Sequence, residues 1–564
     1  MKHVLNIRTI SLLIFFTALS GEALTQNVIR GPYLQIGTST SVVVKWRTDQ
    51  ATDSQVRYGS APGKLNLSAE INQTSTEHEV ELTGLSPDTK YYYAVGSTSQ
   101  ILAGDDASYF FVTSPPPNTP KPTRIWILGD SGTKNDNARA VRDAYYNYTG
   151  NRHTDLWIML GDNAYNNGTD EEYQLAVFEN MYEAMLRKSV LWATRGNHDR
   201  GPKVHGSWTN GDDYYRIFTF PTNGEAGGIA SGTEAYYSFD YGNIHFICLE
   251  STSGKMRQSS SPMWTWLEED LAANDKDWNI AFWHHPPYSK GSHNSDSESE
   301  LVDMRERAVT RLEEAGVDLV MSGHSHSYER SYLIDGHYGK SSMLTDEMKL
   351  DSGSGREDVD GAYVKATLGP AGHEGAVYIV AGSSGKTSGG SLNHPAMFYS
   401  LDELGSVILD IAGNVLDAKF IDDKGEIRDY FTIKKGNNQT GPATQLVMIS
   451  GNNQTALVNA TLPLPFEVQV RDDQNNPVSG VAVTFEITSG SGALSNSQPQ
   501  ITSAHGRAST VLTLGSEAGT VTVAASANGL TGSPQIFTAH ANAGPQDTDP
   551  PAAPTNVRIV VGGD

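Results

Sequence analysis

The chain has 564 residues, of which 38% are hydrophobic and 19% charged. That is ordinary soluble composition but too long for one hydrophobic core, so three or four domains are expected. A net charge of -24, from 65 acidic against 41 basic residues, argues against nucleic acid as a structural partner, since a phosphate backbone needs basic surface. Any anion site must bring its own positive charge, and bound metal ions are one source of it.

The first elements read as a targeting segment. Lys2, His3 and Arg8 precede the apolar run Leu12–Phe16, and small residues follow at Ala18 and Ser20. This predicts a signal peptide over 1–25 and a secreted, extracellular or periplasmic protein, with the cell surface as a further location. No later apolar run reaches the length of a membrane span. The single cysteine, Cys248, lies in the apolar run Ile244–Leu249 and reads as a buried strand residue, so no intrachain disulfide forms. Residues 27–114 read as all-β: Ser41–Trp46 is rich in β-branched residues, and Gln55–Tyr58 and Glu77–Leu82 alternate polar with apolar. The stretch Leu82-Thr83-Gly84-Leu85-Ser86-Pro87-Asp88-Thr89-Lys90-Tyr91-Tyr92-Tyr93, a turn before a Tyr-rich strand, resembles the corner of a fibronectin type III module. Prolines 115–117, 120 and 122 form a stiff linker.

From residue 123 to 435 apolar runs alternate with helical segments such as Asp136–Tyr148 and Glu171–Arg187. That alternation predicts an α/β domain, sheet covered by helices. Residues 442–541 return to short strand-like runs, Phe466–Val470, Val481–Ile487, Ala508–Leu514 and Thr520–Ser526, with a turn over Asp472–Val478. They resemble the bacterial Ig-like repeats of adhesins such as invasin and intimin. Residues 546–564, with Pro550, Pro551 and Pro554 before Thr555-Asn556-Val557, resemble a linker and the start of another fibronectin type III module. The expected fold is therefore multidomain: a β-sandwich, an α/β domain, and an Ig-like β-sandwich.

Five apolar runs in the α/β region each end in a polar cluster. Ile125–Leu128 leads to Gly129-Asp130-Ser131-Gly132, Leu156–Leu160 to Gly161-Asp162-Asn163-Ala164-Tyr165, and Val190–Ala193 to Gly196-Asn197-His198-Asp199. Ile280–Trp283 leads to His284-His285-Pro286, and Leu319–Met321 to Gly323-His324-Ser325-His326. Buried strands read as continuous apolar runs, and ligand sites in α/β sheets lie at the carboxyl ends of strands. Carboxylates, an amide oxygen, a phenol and imidazoles together suit hard or borderline metals. Seven such ligands exceed the needs of one catalytic ion but suit two ions sharing a carboxylate, a geometry that clamps phosphate and activates water.

These motifs, in this order, resemble the calcineurin-like metallophosphoesterases, and Asp162 with Tyr165 three residues on is similar to the purple acid phosphatase branch. Tyr328-Glu329-Arg330 also matches, and Arg30-Gly31-Pro32-Tyr33-Leu34-Gln35 resembles the start of the module that precedes the catalytic domain in plant-type members. The resemblance covers about residues 27–435 and implies an αββα-type sandwich for the metallophosphoesterase domain. It implies that Asp130, Tyr165 and His326 bind ferric iron, that Asn197, His284 and His324 bind zinc, manganese or ferrous iron, and that Asp162 bridges the two ions. It further implies that His198 binds or protonates the phosphate, that a metal-held hydroxide attacks phosphorus, and that tyrosinate-to-iron charge transfer colours the protein pink to purple. Two positions depart from the family. Ala281 stands where a valine is usual, and the second catalytic histidine falls by direct count on Asn294; neighbouring His293 is expected to take that role.

Weaker signals are read as structural. Gly382–Thr387 superficially resembles a nucleotide-binding loop, but Val380 stands where its first glycine is required; it reads as a turn beside the active site. His285 reads as a packing residue, His373 and His394 as structural or surface histidines, Asp170–Glu172 as a solvated helix start, and Tyr91–Tyr93 as sandwich core. The function expected is a secreted, two-metal acid phosphatase acting on phosphate monoesters of small molecules. Its alternatives are a phosphodiesterase or nucleotide pyrophosphatase on the same site, or a surface adhesion protein touching cell or matrix through the Ig-like module.

Overall fold

The computed structural model describes residues 26–543 except 205–206, 209–211, 437–440, 474–476, 497 and 504–505. The expected signal segment at 1–25, the tail at 546–564 and the centre of the Asp472–Val478 turn lie outside the described residues. Among the described residues no helix is long and apolar enough to cross a membrane.

The N-terminal region is a six-stranded antiparallel assembly built on the long strand Val42–Gly59, which pairs with Val28–Gln35, Leu67–Leu82 and Lys90–Gly96. The runs at Ser41–Trp46 and Gln55–Tyr58 belong to this one strand, and both halves reach the same core, Val42, Val44 and Trp46 from one and Val56 and Tyr58 from the other. Tyr93 is fully buried, while Tyr91 and Tyr92 are half-buried.

The α/β region contains two seven-stranded sheets. One runs in the order 363–365, 427–435, 415–422, 405–412, 123–128, 156–159, 190–193; the other runs 237–241, 244–248, 278–282, 319–322, 377–381, 328–331, 397–401. Their facing surfaces share one core. Trp192 of the first sheet stacks on Phe239 of the second with ring centroids 3.7 Å apart, and Phe420 stacks on Tyr328 at 4.1 Å, so aromatic pairs join the layers at two points. Helices cover the outer faces. Asp136–Thr149 lays Tyr145 on Trp126 at 4.3 Å, and Pro262–Ala273 with the helical stretch 299–314 buries a second cluster around Leu267, Trp283 and Leu312. The helix expected over Glu171–Arg187 is present, with a wider π-helical turn at Gln174–Tyr182.

All five motif runs are strands. Thr123–Leu128, Leu156–Met159 and Val190–Ala193 are parallel neighbours in the first sheet. Trp278–Phe282 and Leu319–Ser322 are parallel neighbours in the second. Residues 445–542 form a separate β unit around Phe466, Val468, Phe485 and Phe537. Its expected run Ala508–Leu514 is divided into strands Arg507–Thr510 and Leu512–Leu514, which pair with different partners.

Candidate metal and catalytic site

The carboxyl ends of the five strands meet at one place. Tyr165 donates its hydroxyl to Asp130 Oδ1 at 2.9 Å and lies 3.4 Å from His326 Nε2, which is 3.3 Å from Asp130 Oδ1. These three side chains therefore converge on one point. Beside them, His284 Nε2 is 3.0 Å from Asn197 Oδ1 and 3.2 Å from His324 Nδ1. Asp162 sits between the two triads, its Oδ1 3.5 Å from His284 Nε2, and the oxygens of Asp130 and Asp162 and a ring nitrogen of His284 fall within one 4.8 Å cluster.

The backbone is bent to achieve this. Asp130, Asp162 and His324 have φ of 56°, 52° and 65°, a left-handed conformation that side-chain-bearing residues seldom adopt. Gly196 permits the close approach: a Cβ there would lie 2.2 Å from Asp162 Oδ1. Gly161, at φ 92°, would likewise press a Cβ against His284 Nδ1 at 2.5 Å.

Hydrogen bonds set which nitrogen each histidine presents. His284 donates from Nδ1 to the Leu160 carbonyl at 2.8 Å, which turns Nε2 inward. His326 Nδ1 pairs with Ser388 Oγ at 2.8 Å, again leaving Nε2 for the cluster. His198 donates from Nδ1 to the Asn166 carbonyl at 2.7 Å, so its Nε2 faces Asp162 Oδ2 at 3.9 Å. His293 lies beside His324 of the second triad. It stacks on His324 with centroids 3.7 Å apart and donates from Nδ1 to Glu298 at 2.7 Å. Asn294, the direct-count position of the second histidine, is exposed and spends its backbone amide on Glu298.

The electrostatics suit cations. Burial would push Asp130 up, but His326, His284 and Tyr165 outweigh it and hold the carboxyl below its usual range. Burial, with Asp130 and Asp162 adding to it, drives the Tyr165 phenol well above its ordinary value. Burial and the neighbouring imidazoles drive His324 well down, so its ring is held neutral with a lone pair available. Two carboxylates, an amide oxygen, a phenol and three imidazoles, gathered in two adjoining groups, form a donor set whose chemistry suits multivalent cations.

Other side chains support the site. Asp199, fully buried, accepts from the backbone amides of Asn163, Ala164 and Gly196, from Asn163 Nδ2 and from the Tyr173 hydroxyl. Burial, and then the Asp162 charge, raise its carboxyl to about 6. Lys386 holds its ammonium 4.2 Å from the Tyr165 ring centroid. Its loop, Gly382–Thr387, does lie beside the site, with the Ser384 amide on the Gly129 carbonyl. His285 is buried behind the site with Nδ1 on Ser251 Oγ, and His394 is buried against Tyr288. His373 is exposed and paired with Asp335. Asp170, read as solvated, is instead bound by two arginines, Arg30 and Arg47.

Comparison with known proteins agrees with this layout. Residues 123–328 match the family described as calcineurin-like phosphoesterase, residues 29–113 the purple acid phosphatase N-terminal domain, and residues 447–539 the bacterial Ig-like domain (group 1). Purple acid phosphatase 15 of Arabidopsis thaliana is 30% identical over 291 residues, covering 47% of this chain and 51% of its own length. Phosphoenolpyruvate phosphatase of Allium cepa is 30% identical over 322 residues, covering 52% and 60%. The chain thus spans about half the length of the first of these relatives. Among solved structures, purple acid phosphatase PPD1 from yellow lupin seeds superposes with a TM-score of 0.54 at 18% identity, covering 72% of this chain and 75% of that one. At that identity the likeness establishes the fold.

Proposed function

We propose that this chain, which carries a calcineurin-like phosphoesterase domain behind a purple acid phosphatase N-terminal domain, is a secreted, two-metal acid phosphatase acting on phosphate monoesters. The observation that carries this reading is the pair of donor triads, Asp130/Tyr165/His326 and Asn197/His284/His324, with Asp162 between them.

Asp130, Tyr165 and His326 would hold one ion and Asn197, His284 and His324 the other; a phenol in the first set favours ferric iron there, with zinc, manganese or ferrous iron in the second. When bound, such a pair supplies Lewis acidity and a nucleophile drawn from water at acidic pH. The chain's own groups do the rest. His198, fixed through Nδ1, presents Nε2 to a phosphate oxygen. His293, oriented by Glu298, presents its other nitrogen to the leaving group and gives it a proton. Lys386 adds a positive charge beside Tyr165 in a protein that otherwise repels anions.

A panel of phosphate monoesters and diesters, run together with metal analysis, tests this. Turnover of monoesters by protein containing two ions per chain, lost in Asp162→Ala together with both ions, is the expected result. Faster diester turnover, or activity that survives in metal-free Asp162→Ala, overturns it.

A further inference from the structure

The N-terminal module does more than adjoin the α/β region. Tyr33 donates its hydroxyl to the Ile217 carbonyl at 2.7 Å and packs on Phe178 at 4.9 Å. Gln35 accepts from the Thr219 amide at 2.8 Å, and Lys45 reaches Thr219 Oγ1 at 2.6 Å. Within this interface two arginines close on one carboxylate. Arg30 donates from Nη1 to Asp170 Oδ1 at 2.9 Å, from Nη2 to the Asp170 carbonyl at 3.1 Å, and from Nε to Gln174 at 2.7 Å. Arg47 donates from Nη1 and Nη2 to the two oxygens of the same carboxylate at 2.6 and 2.7 Å. Burial would raise Asp170, but Arg47 and Arg30 outweigh it and hold the carboxyl far below its usual range.

Asp170 opens the short helix Asp170–Tyr173, and the turn before it is knitted to that helix. Thr169 Oγ1 accepts from the Glu172 amide. The Glu172 carboxylate accepts from the amides of Asn166, Asn167 and Thr169 at 2.6, 2.9 and 3.2 Å. The carbonyl of that same Asn166 receives the His198 Nδ1 proton at 2.7 Å. A path therefore runs from Arg30 and Arg47 by hydrogen bonds to Asp170, along the helix backbone to Glu172, and by hydrogen bonds through Asn166 to the ring of His198. The Arg30 side chain is 1% exposed. Any shift of the turn that withdrew Asp170 would leave a buried guanidinium unpaired, which is costly.

We propose that Arg30 and Arg47 are positioning residues for His198: by gripping Asp170 they fix the turn whose Asn166 carbonyl sets the tautomer and reach of the His198 ring. The N-terminal module is on this view part of the active site's support. The inference rests on the proposed phosphatase reading for its kinetic consequence, but its structural consequence can be read without turnover.

The test uses the full chain carrying Arg47→Gln, Arg47→Lys, Asp170→Asn, or Arg47→Gln with Asp170→Asn. Arg47→Gln and Asp170→Asn should each lower kcat for a monoester with a poor leaving group about tenfold. KM should stay within about twofold, and metal content should be unchanged. The double variant should lose no more than either single one, because both break the same link. Arg47→Lys should recover part of the loss. In zinc-loaded protein, the Nδ1 proton resonance that is absent from His198→Asn should broaden or vanish in Arg47→Gln and Asp170→Asn. A fall in unfolding temperature with that resonance and kcat unchanged would show mere docking and overturn the proposal. Absence of monoesterase activity in the unsubstituted chain refutes the phosphatase reading instead, and the His198 resonance then decides the inference alone. Arg47 is partly exposed, so Arg47→Gln carries the test if Asp170→Asn does not fold.

Discussion

At the scale of single residues, the site shows which chemistry can be seen in a sequence. The seven candidate ligands are legible because each lies within five residues of the end of an apolar run, and an ion accepts only a few atom types. Their supports are not. Asp199 stands in a visible motif, yet its donors come from three separate segments. Asp170 reads as a solvated helix start because Arg30 and Arg47, more than 100 positions away, look like surface charges until the module is docked. His293 is intermediate: a local count puts Asn294 in the catalytic place, whereas the ring stacked on His324 and bound to Glu298 belongs to His293. Replacing His293 by alanine should slow esters of poor leaving groups by about 10²-fold or more, the scale of a lost general acid. Aryl esters with good leaving groups should lose much less. Equal losses across a leaving-group series would remove the proton-donor role.

Among elements, the strands were readable and their partners were not. A buried run such as Ile280–Trp283 gives its identity by its length and apolarity, but nothing in it says that it lies beside Leu319–Ser322 in one sheet while Val190–Ala193 lies in the other. The helix–sheet contacts hold one titrating device apart from the site. His245, on the strand Ile244–Cys248, bonds Asp240 through Nδ1 at 2.7 Å and Asp270 of the helix Pro262–Ala273 through Nε2 at 2.9 Å. Burial opposes its protonation, but the bonds to Asp240 and Asp270 outweigh burial and raise the ring to about 9. A histidine raised in the fold stabilises it fully below the unfolded value near 6.5, and that contribution is lost as pH climbs towards 9. The loss is up to about 3 kcal/mol. Unfolding curves between pH 6 and about 9.5 should show this decline, and His245→Asn should flatten it while starting from lower stability. The aromatic contact between sheets is a further point of dependence: Trp192→Ala, which empties the space against Phe239, should cost about 3–5 kcal/mol in the same measurement.

For the whole molecule, the order of modules was evident from composition shifts and turn-rich boundaries, but their cooperation was not. The N-terminal module shares one apolar core with the α/β region, with Tyr33 and Leu34 in the same cluster as Phe178 and Trp192. The Ig-like unit keeps a core of its own. Asp130, Tyr165 and Asn197 follow strands of one sheet, while His284, His324 and His326 follow strands of the other. Each triad therefore takes donors from both layers. In a chain whose single cysteine rules out an internal disulfide, ions held there would act as rivets across the sandwich seam. The seam would be removable, its strength set by metal supply through mass action. A chelator should thus lower the unfolding temperature as well as stop turnover, and restoring either ion alone should recover part of the rigidity before it recovers the chemistry.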